Sequence, residues 1–391
     1  MLNNYSFEFL SVGIQSSMAD ALYLPEDIVH LIFLRLPRKP LFRLKCLSKH
    51  WNRLISEHFI KLRSRRMMFL PSLPFHAIDN TATSEDMTPS KMIKLSSPSI
   101  NTGSYKEVTI VGSFNGIVLL VLEYLNTIVI DPNSPYGHHM ILYNPLSGEF
   151  NTVPRGGSYK SYNYYVYGFG YGTAADDLKI IRLKYLRFGS NYESKSFEVF
   201  SLKTWSWSRP SKLTDDSCFC DSYSSGIFAN GFLYWNATRN SGSPLYLIVT
   251  LNIKTMEFSR IEIPDRYWMH RLGTYKGRLC MICSQNNVEG YELRVMNKPW
   301  LCSSELWSTV CSFPSSLLHI DFASDLGTLC ILDDGRLLTL KSCNQLIIYD
   351  MLKDSYMEVD NLTSFIRVGK LQSVEYIQSS ISPSDICSVF I

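Results

Sequence analysis

The chain has no apolar run long enough to span a membrane. Its best candidate, GIVLLVLEYLNTIVI at Gly116–Ile130, is broken by Glu123 and Asn126; a spanning helix needs about 20 predominantly apolar residues. A secretory leader is not expected either. The opening MLNNYSFEFLSVGIQSS has no basic start and no sustained apolar stretch, so export is not expected. The ten cysteines, scattered over 391 residues, are then expected to be free thiols in the reducing cytoplasm, nucleus or both. The sequons NAT at Asn236 and NLT at Asn361 are expected to go unused. No nucleophile elbow, HExxH or P-loop occurs, which excludes hydrolases and nucleotide-binding proteins recognisable by those motifs.

Charge is sparse, at 19% of residues, against 46% hydrophobic and 13% aromatic. That balance belongs to a folded chain rather than a disordered one, and the aromatic share favours strands. The length allows one large domain with a small one. Net charge is only +3, but it is unevenly placed. Residues 24–66 hold eleven Lys or Arg against three acids, so the remainder is acidic.

Four regions follow from these patterns: an extension at 1–23, a helical segment at 24–66, a Pro/Ser/Thr-rich linker or long loop at 67–104, and a β-rich region at 105–391. Within the extension, Met18 is a conceivable alternative start. In LPEDIVHLIFLRLPRKP (Leu24–Pro40), Pro25 suits the first turn of a helix, where its missing N–H is not needed. Glu26 and Asp27 place negative charge at the positive end of the dipole. Ile28, Leu31 and Ile32 fall on one face, and Pro37 stops the helix. Leu41, Leu44, Leu47, Trp51, Leu54 and Ile55 continue an apolar stripe, and Ser48 is placed to cap a short helix with Trp51 in its first turn. Two or three helices of this size cannot hide all their apolar side chains. Each one left wet forgoes about 1.5–3 kcal/mol, so a docking partner is expected.

Beyond residue 105 the units repeat. SFNGIVLLV precedes MILYNPLSGEFNTVP; VYGFGYGTAADDLKIIRL precedes SFEVFSLKTWSWSRP; GIFANGFLYWNA precedes LIVTLNIKTMEFSRIEIP. RLGTYKGRLCMIC and DFASDLGTLCILDDGRLLTL open two more units. Four strands per ~45–60 residues is the spacing of propeller blades. An all-β propeller of about six four-stranded blades is expected, the sixth formed by KEVTIVG with the late LQSVEYIQSS.

The segment LPEDIVHLIFLRLPRKPLFRLKCLSKHWNRLI resembles an F-box. It carries the Leu-Pro-acid-Asp opening, a second Leu-Pro at Leu36–Pro37, Lys39–Arg43, Ser48–Trp51 and Leu54–Ile55 in order; Pro40 departs from the usual small polar residue. The resemblance implies a small all-α domain that docks on a Skp-family adaptor, and through it on cullin and RING subunits. The docking residues would be Leu24, Pro25, Ile28, Leu31, Ile32, Leu36, Pro37, Leu41, Leu44 and Trp51. The later units, through YNPLSGEFNTVP, GFGYGTAADDLKIIRL, VFSLKTWSWSRP and GIFANGFLYWNA, resemble the kelch-like F-box-associated region of plant F-box proteins. Paired glycines of true kelch repeats are absent apart from Gly156–Gly157. Together the two resemblances imply a non-catalytic substrate receptor of an SCF-type ubiquitin ligase. The alternatives are an adaptor-bound scaffold outside ubiquitin transfer, and a propeller enzyme.

Sharper chemical readings give way to plainer ones. The glycines of GFGYG (Gly168–Gly172) precede LKIIRL, a strand pattern, whereas a phosphate loop needs a helix there. Cys280 and Cys283 lie three apart in RLCMIC, and on a strand such residues face opposite ways, so they cannot share a metal. Cys218 and Cys220 have no histidine nearby in sequence, and His138–His139 read as solvent-facing. No cofactor or metal is expected. The basic run Arg35–Arg66 reads as a solvated or adaptor-facing surface, with KLRSRR as a weak nuclear signal; nucleic-acid binding ranks below both.

In a propeller, a–b and c–d turns share one face, and b–c and d–a connections the other. The long connections here fall in the second class and carry Tyr159, Tyr162, Phe188, Tyr192, Phe219, Tyr223, Tyr267 and Trp268. Aromatic loops on a rigid scaffold suit a target-binding face, although any one of these rings can instead fill a gap between blades.

Overall fold

A computed structural model describes Ser48, Lys49 and Trp51, and then residues 66–70, 75–79, 92–95, 105–124, 139–156, 163–172, 178–186, 195–213, 218–219, 225–239, 245–264, 267–285, 289–297, 306–314, 330–331, 335–341, 345–351, 353–358, 373–379 and 381–386. The chain divides into two compact units, Met1–Ser64 and Arg65–Ile391.

The second unit is a propeller whose described strands form six sheets. Blade I holds β1 (Arg66–Leu70), β2 (His76–Asp79) and β3 (Met92–Lys94). Blade II is β4 (Tyr105–Phe114), β5 (Ile117–Tyr124), β6 (His139–Tyr143) and β7 (Phe150–Thr152). Blade III is β8 (Asn163–Tyr171), β9 (Leu178–Leu186), β10 (Lys195–Ser201) and β11 (Ser206–Trp207), with β12 (Ser211–Lys212) also on β10. In blade IV, β13 (Cys218–Phe219) and β14 (Ile227–Ala229) both pair with β15 (Phe232–Arg239), followed by β16 (Leu245–Asn252) and β17 (Glu257–Glu262). Blade V is β18 (Tyr267–Tyr275), β19 (Arg278–Gln285), β20 (Tyr291–Met296) and β21 (Trp307–Phe313). Blade VI is β22 (Cys330–Ile331), β23 (Arg336–Lys341), β24 (Gln345–Asp350) and β25 (Ser355–Glu358).

The last strand, β26 (Val374–Ile377), returns to blade I and pairs antiparallel with β1, Arg66 opposite Ile377 and Phe69 opposite Val374. Two expectations are corrected here. The closing strand pairs with RMMFL of β1, not with KEVTIVG, which is the first strand of blade II. Residues 67–104 are not a linker, because they supply most of β1 and all of β2 and β3. The propeller therefore begins at Arg66 instead of residue 105. Composition misled because these strands are only three to five residues long and sit among Pro, Ser and Thr.

Burial explains why these segments are strands. In β5 the side chains alternate between two layers: Val118, Leu120 and Leu122 pack between blades I and II, and Ile117, Leu119 and Val121 between II and III. A strand covered on both faces reads as a continuous apolar run, which accounts for GIVLL in a protein whose described residues hold no helix long and apolar enough to cross a membrane. Similar layers join III to IV, IV to V and V to VI.

The turns are as regular as the layers. Asn115–Gly116, Asn230–Gly231 and Lys276–Gly277 close the a–b hairpins with both residues at positive φ, the two-residue turn that matches strand twist. The c–d turns use a second device. Asn144, Ser201, Asn252 and Asp350 each accept backbone N–H bonds from residues two or three ahead. Four residues after each cap stands a left-handed residue: Gly148, Trp205, Met256 and Asp354. At Trp205 this conformation costs about 1–2 kcal/mol, and the ring packs edge-on against Phe200 at 5.3 Å.

Burial also sets an alkaline limit. Desolvation pushes the Cys283 thiol up to about 12 and Cys280 higher still, and raises the Tyr234 phenol to about 12. Each group must stay neutral in the fold, while in the unfolded chain thiols ionise near 9 and phenols near 10. The stability these three groups contribute is therefore full below about pH 9 and is lost as pH rises beyond it. The urea midpoint should be flat from pH 7 to 8.5 and fall by pH 10.5. The Cys280→Ala, Cys283→Ala variant should show a shallower fall, and an unchanged slope would mean the thiols contribute nothing.

Candidate protein-interaction site

Two surfaces were expected to meet partners. Of the helical one, Ser48, Lys49 and Trp51 are described. Lys49 and Trp51 are helical, and the Ser48 hydroxyl accepts the Trp51 backbone N–H at 3.1 Å. This is an N-cap: it satisfies one of the amide donors that a helix start leaves without a partner. Trp51 is half-buried. Leu24, Pro25, Ile28, Leu31, Ile32, Leu36, Pro37, Leu41 and Leu44 lie outside the described residues.

On the propeller, the tight a–b and c–d turns close one face, which leaves the b–c and d–a connections on the other. Three turns on the tight face are longer than expected: β2 to β3, β8 to β9 and β20 to β21. Tyr159, Tyr162, Phe188, Tyr192 and Tyr223 lie outside the described residues, in connections that begin and end on described strands. Tyr159 and Tyr162 fall between β7 and β8, and Phe188 and Tyr192 between β9 and β10. Tyr223 falls between β13 and β14, which share the partner β15, and Phe219 is within β13.

Tyr267 and Trp268 are not loop residues. Both belong to β18, in register with Gln285 and Ser284. Tyr267 is 7% exposed, and the Arg294 guanidinium carbon sits 4.4 Å from its ring centroid. The reason is continuity of β-forming residues: YWMHRL extends the strand back to the turn at Pro264, whose carbonyl accepts the Tyr267 N–H at 2.9 Å. As a buried ring, Tyr267 fills the layer between blades IV and V. His139 departs in the same way from a solvent-facing loop. It opens β6, half-buried, and burial together with Arg155 lowers its pKa.

Sequence reading missed a recess at the edge of blade V on the same face. A cavity of about 220 Å³ lies among Gln285, Glu289, Tyr291, Glu292 and Phe313. The Glu292 carboxylate is held by the Gln285 amide at 2.7 Å and the Thr309 hydroxyl at 3.3 Å, with Arg294 at 3.9 Å. No motif marks it, because its walls come from the ends of three strands.

The glycines of GFGYG are packing residues. A Cβ on Gly168 would stand 2.8 Å from the Trp235 ring, and one on Gly170 would stand 2.3 Å from Phe228. Cys280 and Cys283 face opposite layers of β19, as residues three apart on a strand must.

Two family profiles match this chain. The F-box domain matches residues 22–63, and the F-box associated beta propeller domain matches residues 73–360. The chain belongs to the F-box associated beta-propeller family. It is similar to an F-box/kelch-repeat protein of Arabidopsis thaliana, 25% identical over 93% of this chain and 96% of that one. It is also similar to the F-box protein CPR1 of the same plant, 26% identical over 70% of each. Among solved structures, a chain of a nidogen/laminin complex aligns over 80% of this chain and 99% of its own, with a TM-score of 0.47 and 11% identity. In this F-box propeller protein the profile leaves out β1 and β26, the two strands that close the ring.

Proposed function

We propose that the chain is the substrate-recognition subunit of an SCF-type ubiquitin ligase. The F-box docks on a Skp-family adaptor, and the b–c/d–a face of the propeller takes the target protein. The reading rests above all on an F-box and an F-box associated propeller in one chain. The capped helix start at Ser48–Trp51 falls inside the F-box match. The protein itself does no chemistry; it holds target lysines near a charged ubiquitin carrier, so that a bimolecular encounter becomes an effectively unimolecular step. Target recognition is assigned to the b–c and d–a connections that carry Tyr159, Tyr162, Phe188 and Tyr192, to Tyr223 between β13 and β14, and to the blade V recess. The protein works in the cytoplasm, the nucleus or both.

The test is binding to purified Skp-family adaptor. The intact chain should bind, and the Leu24→Ala, Pro25→Ala, Leu36→Ala variant should bind at least tenfold more weakly while the propeller melts unchanged. Cullin should co-purify with the intact complex. Adaptor binding without cullin would favour a scaffold outside ubiquitin transfer. No binding by the folded intact chain would remove the proposal.

A further inference from the structure

Beyond β26 the chain continues over blade II, and its contacts there are specific. The Asn144 side-chain amide donates to two carbonyls of this segment, Ser379 at 3.0 Å and Ile381 at 2.8 Å. The Ser113 hydroxyl donates to the Glu375 carbonyl at 2.6 Å, and the Ser379 hydroxyl accepts the Ile381 N–H at 3.1 Å. Gly116 leaves the space the segment needs: a Cβ there would come within 2.4 Å of the Ser379 Cβ and 2.5 Å of the Ile377 carbonyl oxygen. A short 3₁₀ turn, Pro383–Asp385, follows, and Ile386 ends 2% exposed. Ile386 belongs to the apolar layer between blades II and III, with Val111, Val153 and Phe200.

This is more than ring closure by a strand. Pairing of β26 with β1 completes blade I, but leaves blade I joined to blade II by side-chain packing, the single Ser113–Glu375 hydrogen bond and the connection after β3. The segment 379–386 starts at the blade I/II joint and anchors one joint further on, between II and III. It crosses the tight-turn face, since Gly116 lies in an a–b turn and Asn144 opens a c–d turn. We infer that residues 379–386 are a latch that holds blades I, II and III together, so that release of the latch opens the ring at the I/II joint while blades IV to VI stay folded. The latch is a property of the propeller and holds whether or not the opposite face takes a target.

Asn144 allows a sharp test in the full chain. Its Oδ1 accepts from Leu146 and Ser147 within the turn, and its Nδ2 donates to the latch. Asn144→Asp keeps the acceptor for the turn and sets an oxygen against two carbonyl oxygens. Hydrogen exchange would be followed by mass spectrometry in full-length Asn144→Asp, in Ile386→Ala, and in a chain stopped after Gln378. The latch requires amide exchange in β26, β1 and β4 to rise tenfold or more in each variant, with β15, β16, β19 and β20 within twofold of the parent. Exchange raised equally in all blades would overturn the idea, because the segment would then add only general stability. No change in Asn144→Asp and Ile386→Ala would also overturn it, even if the shortened chain failed to fold.

Discussion

Glu198→Ala is expected to cost the propeller about 3–5 kcal/mol, the loss typical of breaking a buried ion pair from one side. Arg182 and Glu198 face each other across β9 and β10, with side chains 4% and 11% exposed. The Arg182 Nε donates to the Glu198 Oε2 at 2.9 Å, and a second guanidinium nitrogen donates to the same oxygen. The guanidinium carbon lies 4.4 Å from the Trp207 ring centroid and 5.8 Å from that of Tyr165. Gly156 closes the site, since a Cβ there would stand 2.6 Å from the Arg182 Nη2. Removing the carboxylate leaves a charge that water cannot reach, and that uncompensated charge dominates the loss. Replacing both partners, Arg182→Met with Glu198→Leu, should recover most of it. Urea midpoints of the two single variants and the double would decide. A loss below about 1 kcal/mol for Glu198→Ala would place the pair among solvated surface bridges.

Trp235→Ala should lose about 3–5 kcal/mol by opening a cavity in the layer between blades III and IV. Trp235 is 1% exposed, and its indole N–H donates to the Tyr167 carbonyl at 2.8 Å. That carbonyl also accepts the Gly226 N–H at 2.6 Å, so Trp235→Phe leaves no orphaned acceptor. The phenylalanine variant should therefore lose only about 1–2 kcal/mol. Gly226 admits the indole and Gly168 admits both Leu233 and the indole: a Cβ on Gly226 would stand 2.6 Å from the Trp235 ring, and one on Gly168 would stand 2.6 Å from the Leu233 Cδ1 and 2.8 Å from the ring. Gly168→Ala should cost about 1–3 kcal/mol through overpacking. Combined with Trp235→Ala it should cost less than the sum, because the cavity absorbs the methyl group. Strict additivity in that double variant would mean that Gly168 is set by something other than Trp235.

The residues behind these two effects were unevenly legible. Gly168 and Gly170 read as strand glycines because LKIIRL follows them, but which side chain needed the space was hidden. Trp235 is a neighbour in space of Tyr167, not in sequence. Arg182 and Glu198 look like ordinary members of alternating strands, and only the stacking of blades removes them from water. The target-face aromatics divide in the same way. The connections carrying Tyr159 and Phe188 were legible as long segments between strands. Tyr267 was misplaced, because a strand that begins with a β-forming residue right after a proline turn resembles the end of a loop.

The sequence by itself determined the features built from short-range physics. Ser48 before Trp51 is a cap because a hydroxyl reaches an amide three residues ahead. Asn115–Gly116 and Asn230–Gly231 are hairpin turns because those residues tolerate positive φ. The repeated apolar strands specify blades because a sheet covered on both faces must be apolar on both. Only the tertiary structure decided that Arg66–Leu70 and Val374–Ile377 are partners, that residues 67–94 belong to the propeller, and that Asn144 holds the chain's last described segment. These depend on groups brought together from opposite ends of the chain. Strands of three to five residues carry too little periodicity to announce such pairings, and the free energy that selects them appears only when the ring closes.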